Sequence, residues 1–314
     1  MRHDGGGRSG AQRTGIRVLK ILLTGSGGFT GRHVTAAATA AGHTVTPLRV
    51  DLRDPDAVAG AVAANPSEAV LHLAAVSFVG HADAAAFYAV NVVGTGNLLA
   101  ALAGAASPPR RVILASSANI YGNCAVSPIG ETQPPAPTNH YAISKLAMEY
   151  LARTYRDRLS ILIARPFNYT GPGQGSQFVI PKLVEHFARR APYVELGNLD
   201  VEREFNDVRL IGAAYGALLA AGEPGEVYNL CSGRPYTLRA VIALLTELTG
   251  HRLEVRVNPQ FVRAGEVRRL CGDPAKLQAL GARAAIALHQ PDLRDTLAWM
   301  LETERAALAA GPVG

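Results

Sequence analysis

Three residues of the sequence have the types and the spacing that a proton-transferring site needs. Tyr141 and Lys145 lie in TNHYAISKLAMEY (138–150), whose apolar spacing predicts an amphipathic helix. Residues four apart share a helix face, so the phenol and the ammonium would stand side by side. A phenol with a pKa of about 10 is a poor base at neutral pH, and a neighbouring ammonium favours its phenolate. Ser117 ends an upstream apolar run, RVILASS.

The elements that must position these residues follow a regular alternation. Apolar runs, RVLKILLT, TVTPLRV, AVLHLAA, RVILASS and SILIARP, are separated by longer helical patterns. Strands that are apolar almost throughout and separated by helices predict a parallel sheet covered on both faces. We therefore expect an α/β protein with a doubly wound parallel-sheet Rossmann fold.

The rhythm changes after Pro166, where a Gly/Pro-rich stretch, FNYTGPGQGSQ, begins a smaller mixed α/β C-terminal lobe that would bind substrate. A return to the sheet is expected near GEVYNLCSG, and the helix TLRAVIALLTELTG should end at Gly250. The predicted division is a disordered tail at 1–16, a dinucleotide-binding domain from 17–165 and 207–230, and a second lobe from 166–206 and 231–310. A ligand would lie between the two, at the carboxyl ends of the strands.

A glycine-rich turn, ILLTGSGGFTG, follows the first strand and opens a helix. Gly25, Gly28 and Gly31 would permit a tight turn and let backbone N–H groups approach a pyrophosphate at the helix N-terminus. The second strand ends near Arg49, where NAD-binding proteins usually have a carboxylate. A guanidinium suits a 2′-phosphate, which favours NADP(H) as the cofactor. NAD(H) remains open if Asp51 makes the adenosine contact instead.

Composition excludes several classes of protein. The chain has 314 residues, 48% of them hydrophobic and 18% charged, with a net charge of +6, so a disordered or fibrous protein is excluded. It has neither a block of like charges nor a basic stripe with aromatics, and no apolar run approaches the roughly 18 residues that span a bilayer. The three cysteines, Cys124, Cys231 and Cys271, indicate neither a disulfide framework nor a metal site. We expect a cytoplasmic protein that binds an anionic small ligand, with no nucleic-acid or membrane partner.

Taken in order, the glycine-rich turn, LHLAAVS, ASSANIYG and Tyr-x-x-x-Lys resemble the extended short-chain dehydrogenase/reductase family over nearly the whole chain. The resemblance implies that Tyr141 exchanges a proton with a sugar hydroxyl or carbonyl while hydride moves to or from the cofactor. Ser117 would hydrogen-bond the same oxygen, and Lys145 would hold the nicotinamide ribose and lower the tyrosine pKa. The implied cofactor-binding residues are Gly25, Gly28, Phe29, Thr30, Gly31, Arg49, Asp51, Leu52, Leu73, Ala74, Ala75, Asn91, Tyr141 and Lys145.

The second lobe is similar to the GDP-mannose 4,6-dehydratase and GDP-4-keto-6-deoxy-mannose reductase branch in RPFNYTGPGQGSQFVIPKL, ELGNLDVEREFNDVR and VRAGEVRRLCGDPAKLQALG. The resemblance implies a nucleotide-diphosphate sugar as ligand, with a GDP-sugar favoured, and a homodimer formed through the helix that bears Tyr141. Arginine and lysine side chains would bind the diphosphate, and a carboxylate would accept hydrogen bonds from guanine or ribose. The implied substrate positions are Ser77, Asn119, Asn168, Val179, Lys182, Arg203, Arg263 and Glu266.

One departure from the dehydratases narrows the predicted reaction. Dehydratases of this branch have an acidic residue two or three places after the Ser/Thr, whereas this chain has Ala118 and Asn119. An amide does not exchange a proton at neutral pH, so dehydration would require another group such as Glu131 or His140. We therefore expect an NADPH-using reductase of a GDP-4-keto-6-deoxyhexose.

Two alternatives remain open from the sequence. SSANIYG also resembles the nucleotide-sugar 4-epimerases, so an epimerase or a 4,6-dehydratase with tightly bound NAD(P) is the alternative enzyme. A non-catalytic NADP-sensing relative is the second, since a fold alone does not determine a function. The complete set of Ser117, Tyr141 and Lys145 argues against it.

Overall fold

The computed structural model of the protein describes residues 17–80, 82–261 and 267–310, so the predicted tail 1–16 lies outside the described residues. The strands are β1 (Lys20–Thr24), β2 (Thr44–Leu48), β3 (Ala69–His72), β4 (Arg111–Ala115), β5 (Ile161–Pro166), β6 (Tyr169–Thr170), β7 (Tyr193–Leu196), β8 (Glu202–Glu204), β9 (Asn206–Asp207), β10 (Val227–Leu230), β11 (Pro235–Thr237), β12 (Glu254–Val257) and β13 (Arg269–Leu270). The helices are α1 (Phe29–Ala40), α2 (Pro55–Ala64), α3 (Ala84–Tyr88), α4 (Thr95–Ala103), α5 (His140–Arg153), α6 (Val179–Ala188), α7 (Val208–Ala221), α8 (Leu238–Thr249), α9 (Ala275–Ala284) and α10 (Leu293–Ala310).

A six-stranded sheet with the order β2-β1-β3-β4-β5-β10 forms the first domain. Every neighbouring pair in it is parallel, which confirms the predicted doubly wound sheet. The return to the sheet near GEVYNLCSG is β10, which pairs with β5. Because β1 has β2 on one side and β3 on the other, the strand order reverses there. A crevice therefore opens beyond the carboxyl end of β1, where such folds bind ligands.

Helices cover both faces of this sheet, and the side chains of successive strand residues point to opposite faces. Leu23 packs in a cluster with Ile211 and Leu218 of α7, whereas Leu22 packs with Met148 of α5 on the other side. Both leucines are fully buried, and the alternation follows from the two-residue period of a strand. Truncating such a side chain to alanine typically costs about 2–5 kcal/mol of unfolding free energy.

The second lobe is the predicted mixed α/β unit. Its core lies between α6, α8 and α10, where Phe187, Leu245 and Leu297 are fully buried, and short strand pairs border it. Helix α8 ends at Gly250 in the left-handed conformation, as the sequence predicts. The predicted division assigns α9 to this lobe, but its residues Leu277 and Leu280 pack in the same cluster as β1 and α7. The structure thus places α9 with the sheet.

One helical segment of the first domain has the length and apolar composition of a membrane span. Residues 84–103 form a continuous helix made of α3, a π-helical turn at 89–94 and α4. Its buried side chains include Phe87, Leu98 and Leu102. Leu98 and Leu102 belong to the cluster that also contains Val58 of α2 and Met148 of α5. The inner face of the segment is therefore part of the core of this domain.

Candidate active site

A cavity of about 1320 Å³ opens between the two units at the carboxyl ends of the strands. Its first wall consists of the turns that follow β1, β2, β3 and β4, and its second wall comes from β5 to β8 and α6. Pockets for a single small ligand usually measure about 300–1,000 Å³. The cavity therefore has room for two ligands side by side, such as a dinucleotide and a second, sugar-sized molecule.

The glycine-rich turn after β1 forms a close-packed floor. A Cβ added to Gly25 would lie 2.7 Å from the Ala74 nitrogen, and one added to Gly31 would lie 2.1 Å from the Gly25 oxygen. Gly28 is the N-cap of α1, and no side chain caps the helix. The first-turn N–H groups of α1 thus face the cavity without a capping acceptor, an arrangement that binds phosphate. The turn therefore fits a dinucleotide pyrophosphate.

Helix α5 carries the predicted acid/base pair on its buried face. Asn139 caps the helix by accepting a 2.9 Å hydrogen bond from the Ala142 N–H. Tyr141 and Lys145 are 8% and 2% exposed, and both line the cavity. The Lys145 ammonium donates a 2.7 Å hydrogen bond to the Ala115 carbonyl at the end of β4. The helix therefore presents the phenol and the ammonium to the end of the sheet, as the spacing predicts.

Burial dominates the proton affinity of both groups. It lowers the pKa of Lys145 to about 8, and the Glu149 carboxylate one turn later opposes this shift. It raises the pKa of Tyr141 to about 12, against a smaller opposing effect of the Ser117 hydroxyl. The lowering of the Tyr141 pKa by Lys145 that the resemblance implies stays a prediction. The phenol is therefore protonated at neutral pH and equipped to donate a proton.

Two adjacent serines complete the reacting end of the cavity. Ser117 is the N-cap of a 3₁₀ turn over Ala118–Tyr121 and accepts a 3.2 Å hydrogen bond from the Asn119 N–H. Ser116 is 3% exposed and also lines the cavity, and its Oγ has no hydrogen-bond partner among the described residues. A buried hydroxyl without a partner is costly unless a ligand or water satisfies it. The site therefore fits a polar ligand group beside β4.

Most predicted site residues line this cavity. On the cofactor side they are Gly25, Gly28, Phe29, Thr30, Gly31, Asp51, Leu52, Leu73, Ala74, Ala75, Tyr141 and Lys145, and on the substrate side they are Ser77, Ser117, Asn119, Asn168, Val179, Lys182 and Arg203. The predicted substrate residues Arg263 and Glu266 lie outside the described residues.

Two predicted cofactor residues are not on the cavity wall. Asn91 is 1% exposed, and its amide exchanges hydrogen bonds of 2.9 and 3.1 Å with the Val76 backbone and donates a 3.0 Å bond to Ser144. It therefore holds the loop after β3 against α5. Arg49 is exposed beyond the end of β2 and does not line the cavity.

A second arginine, Arg53, changes the contacts expected for the adenosine part of the cofactor. Arg53 binds both carboxylate oxygens of Asp51 at 2.6–3.1 Å, an ion pair that the sequence did not indicate. Arg53 holds the pKa of Asp51 at about 2, so this carboxylate stays ionised and already has a cationic partner. Asp51 is therefore a poorer acceptor for a ribose hydroxyl than a free carboxylate would be, which favours a 2′-phosphate.

The opposite wall carries cations and an aromatic ring from the second lobe. Lys182 on α6 donates a 2.7 Å hydrogen bond to the Glu195 carbonyl and lies 4.9 Å from the centre of the Phe261 ring. Arg203 on β8 donates hydrogen bonds to the carbonyls of Glu202 and Val267. These contacts hold two positive charges at one end of the cavity, where a diphosphate would be attracted.

Sequence reasoning missed two tyrosines of the cavity. Tyr169 on β6 shares a 2.6 Å hydrogen bond with Thr30 and stacks on Phe29, with ring centres 5.9 Å apart. It joins the second lobe to the cofactor turn, and its place in the Gly/Pro-rich stretch was the only available signal. Tyr215 of α7 also lines the cavity and is 1% exposed. Nothing in the apolar pattern of α7 distinguishes it from a core residue.

Comparisons with known proteins agree with this geometry. The family model described as GDP-mannose 4,6 dehydratase matches residues 15–290. GDP-6-deoxy-D-mannose reductase of Pseudomonas aeruginosa is 39% identical over 274 residues, which are 82% of this chain and 89% of the relative. GDP-6-deoxy-D-talose 4-dehydrogenase of Aggregatibacter actinomycetemcomitans is 34% identical over 265 residues, which are 82% of this chain and 90% of that protein.

A solved structure extends the match to the whole fold. The structure of RMD from Pseudomonas aeruginosa complexed with NADPH superposes with a TM-score of 0.84 at 34% identity, covering 92% of this chain and 99% of that one. The motifs, the sheet order and these matches agree with one another. The chain belongs to the GDP-mannose 4,6 dehydratase family.

Proposed function

We propose that the protein is an NADPH-dependent reductase of a GDP-4-keto-6-deoxyhexose, acting in nucleotide-sugar biosynthesis. The observation that carries the proposal is the reacting end of the cavity, where a protonated Tyr141 faces the space beside Asn119. Reduction of a ketone needs one proton donor, whereas dehydration needs a further acid/base. The reductase among the relatives and the NADPH-bound neighbour support the same assignment.

The two groups that could replace the dehydratase acid do not line the cavity. The Glu131 carboxylate accepts a 2.9 Å hydrogen bond from the Asn229 N–H and does not line the cavity. His140 shares a 2.9 Å hydrogen bond with the Tyr88 hydroxyl and is likewise off the wall. Neither of the two groups that could replace the missing acid is therefore in place.

The chain's own residues account for the proton in this reaction. NADPH, when bound, supplies the hydride that reduces the ketone carbon. The hydroxyls of Ser117 and Tyr141 would bind the ketone oxygen, and Tyr141 would donate its proton as the oxygen gains charge. The reduced cofactor has a neutral nicotinamide, so it brings no positive charge that would draw the proton from the phenol beforehand. A Tyr141 pKa of about 12 thus suits reduction.

Separate parts of the wall would hold the cofactor and the sugar nucleotide. The glycine-rich turn would bind the cofactor pyrophosphate, and Asp51 with Leu52 would line the adenosine, with Arg49 and Arg53 nearby for the 2′-phosphate. Lys145 would bind the nicotinamide ribose. The substrate residues would be Ser77, Asn119, Asn168, Val179, Lys182 and Arg203, joined by Arg263 and Glu266.

The test combines the state of the purified protein with turnover. Mass spectrometry of the denatured protein should find no stoichiometric dinucleotide, and titration should show tighter binding of NADPH than of NADH. Addition of a GDP-4-keto-6-deoxyhexose should then oxidise NADPH, which is followed by its absorbance. Stoichiometric NAD in the purified protein, with no NADPH oxidation, would contradict the proposal and favour the epimerase or dehydratase.

We also propose that the protein is a homodimer, and that two copies meet along α4 and α5. Ile143 and Tyr150, seven residues apart on α5, are 40% and 54% exposed, and Val93 of the preceding helical segment is 55% exposed. Such an apolar face is typical of a helical dimer interface. Light scattering after gel filtration should give twice the monomer mass for the wild type and the monomer mass for Ile143→Glu; a monomeric wild type would contradict the proposal.

A further inference from the structure

The two hydroxyls proposed to bind the ketone oxygen come from separate elements. Ser117 precedes the 3₁₀ turn that follows β4, whereas Tyr141 lies in the first turn of α5. The irregular chain 122–139 separates these two elements along the sequence. Because a reacting oxygen must meet both hydroxyls at once, contacts behind the cavity that join the two elements bear on the separation of these hydroxyls.

A single buried guanidinium makes those contacts. Arg165 of β5 is 3% exposed, and it binds Glu149 of α5 through two parallel hydrogen bonds of 2.9 and 2.6 Å. Glu149 is itself 2% exposed and lies one helical turn after Lys145 on the same buried face. This ion pair therefore attaches the helix of the reacting phenol to the sheet.

The third nitrogen of the guanidinium, Nη1, contacts the 3₁₀ turn that Ser117 caps. Arg165 Nη1 donates a 2.9 Å hydrogen bond to the hydroxyl of Tyr121, which ends the 3₁₀ turn that Ser117 caps. The Tyr121 hydroxyl in turn donates a 2.7 Å bond to Asn229 of β10, and the guanidinium lies 5.1 Å from the centre of the Tyr121 ring. The buried side of the 3₁₀ turn is therefore held by the same guanidinium that binds α5.

We propose that Arg165 is a positioning residue that sets the separation of the Ser117 and Tyr141 hydroxyls. It does so by binding Tyr121 through Nη1 and Glu149 through Nε and Nη2. The inference rests on the proposed function for the identity of the reaction. Arg165 does not line the cavity, so it touches neither substrate nor cofactor and acts through the residues that it binds. Its Nη1 also donates a longer, 3.3 Å hydrogen bond to the Glu131 carbonyl.

The chemistry of the side chain explains why an arginine stands here. A guanidinium is planar and presents its donors in a rigid fork, so it can hold a carboxylate and a phenol at one defined angle. A lysine ammonium is a compact charge on a flexible stem and would keep the ion pair without keeping the angle. An apolar pair of similar volume often preserves stability at such sites, so stability alone does not require the ion pair.

Two variants separate positioning from stability. We expect Arg165→Lys to lower kcat about 100-fold and Tyr121→Phe about 10-fold, with KM and the Kd for NADPH within about twofold of the wild type, since small misplacements of reacting groups carry losses of this size. The matched control is Thr296→Val, which removes a fully buried 2.8 Å hydrogen bond from α10 of the second lobe to Asp207 at the start of α7. It should lower the melting temperature comparably to Tyr121→Phe and leave kcat unchanged.

A structural readout makes the inference independent of the substrate. In crystals of the NADPH complexes, the distance between Ser117 Oγ and Tyr141 Oη should differ by about 0.5 Å or more between the wild type and Arg165→Lys, the tolerance that defines a productive site. An unchanged distance, or an unchanged kcat in both variants, would overturn the positioning role. A wild type that binds NADPH but does not reduce the ketosugar would instead refute the proposed function, and the distance would still decide the role of Arg165.

Discussion

The two ends of the cavity are built differently. At the reacting end, Ser117, Tyr141 and Lys145 are less than a tenth exposed and stand on a strand end and a helix of the first domain. At the nucleotide-sugar end, Phe261 is 46% exposed, and Arg203 lies on a strand of three residues. The first end is part of the core, and the second is close to the protein surface.

This difference separates the chemistry from the recognition. Burial moves the pKa of Lys145 to about 8 and that of Tyr141 to about 12, because a charge without solvent is costly. Charges near the surface are screened by water and salt, and they attract a diphosphate without needing exact placement. The reacting end should therefore be intolerant of change, and the nucleotide-sugar end should respond in a graded way.

Tyr141→Phe should show the largest effect. It removes the proposed proton donor, so we expect kcat to fall by about 10²–10⁴-fold, the usual contribution of a positioned acid. The Kd for NADPH should change by less than about twofold, because the ring and its packing remain. Tyr193→Phe, at an exposed tyrosine that does not line the cavity, is the matched control. Undiminished turnover of Tyr141→Phe would remove the phenol from the mechanism.

Substitutions in the glycine-rich turn after β1 test whether close packing extends beyond the reacting residues. A Cβ at position 31 would lie 2.1 Å from the Gly25 oxygen, whereas one at position 27 meets nothing within 4 Å. We expect Gly31→Ala to weaken NADPH binding by about 100-fold or more, because the turn must open to relieve the overlap. Overpacking of this kind typically costs about 1–3 kcal/mol or more. Gly27→Ala should bind normally. Fluorescence titration with NADPH measures both, and equal affinities would refute the account of the turn.

The nucleotide-sugar end should respond to Lys182→Met with a smaller change. We expect KM for the GDP-sugar to rise about 10-fold, with kcat within twofold, since a charged hydrogen bond contributes about 1.5–3 kcal/mol. Lys276→Met is the control, because Lys276 pairs with Glu226 away from the cavity. A loss confined to kcat would mean that Lys182 acts on the reaction itself and would break the distinction between the two ends.

The pH profile should show the mildest effect. As pH rises through about 8, buried Lys145 loses its charge, so activity should decline tenfold per pH unit above that value. Tyr141, with a pKa of about 12, should not contribute in this range. In Lys145→Arg, which stays charged, the remaining activity should lack the decline near pH 8. A decline that persists in this variant would assign the titration to another group.

The same shift has a consequence for stability with a definite sign. The pKa of Lys145 is lowered from 10.5 to about 8 on folding, so between these pH values the unfolded chain binds more protons. The contribution of Lys145 to the free energy of unfolding should therefore rise with pH across this window and stay constant below pH 8. In denaturant unfolding, the free energy of unfolding of the wild type minus that of Lys145→Met should be higher at pH 10 than at pH 7.5.

Parts of the site that follow from backbone periodicity could be predicted, and parts that depend on side-chain direction could not. The sequence predicts a cofactor contact for Asn91, and the contacts of its amide with Val76 and Ser144 were not expected. Arg53 was not expected at all, although its bidentate contact with Asp51 bears directly on the cofactor preference. Side-chain direction decides both outcomes, and residue order carries little information about it.

Three features follow from the order of the residues alone: the alternation that makes a parallel sheet, the glycine turn at the start of α1, and the shared face of Tyr141 and Lys145. These follow from periods of two and 3.6 residues and from backbone sterics, which act over a few residues. Only the tertiary structure decided that Arg165 lies between Tyr121 and Glu149, and that Tyr169 reaches Thr30. Such contacts join residues that are 16 to 139 positions apart, so they exist only once the sheet and the second lobe have packed.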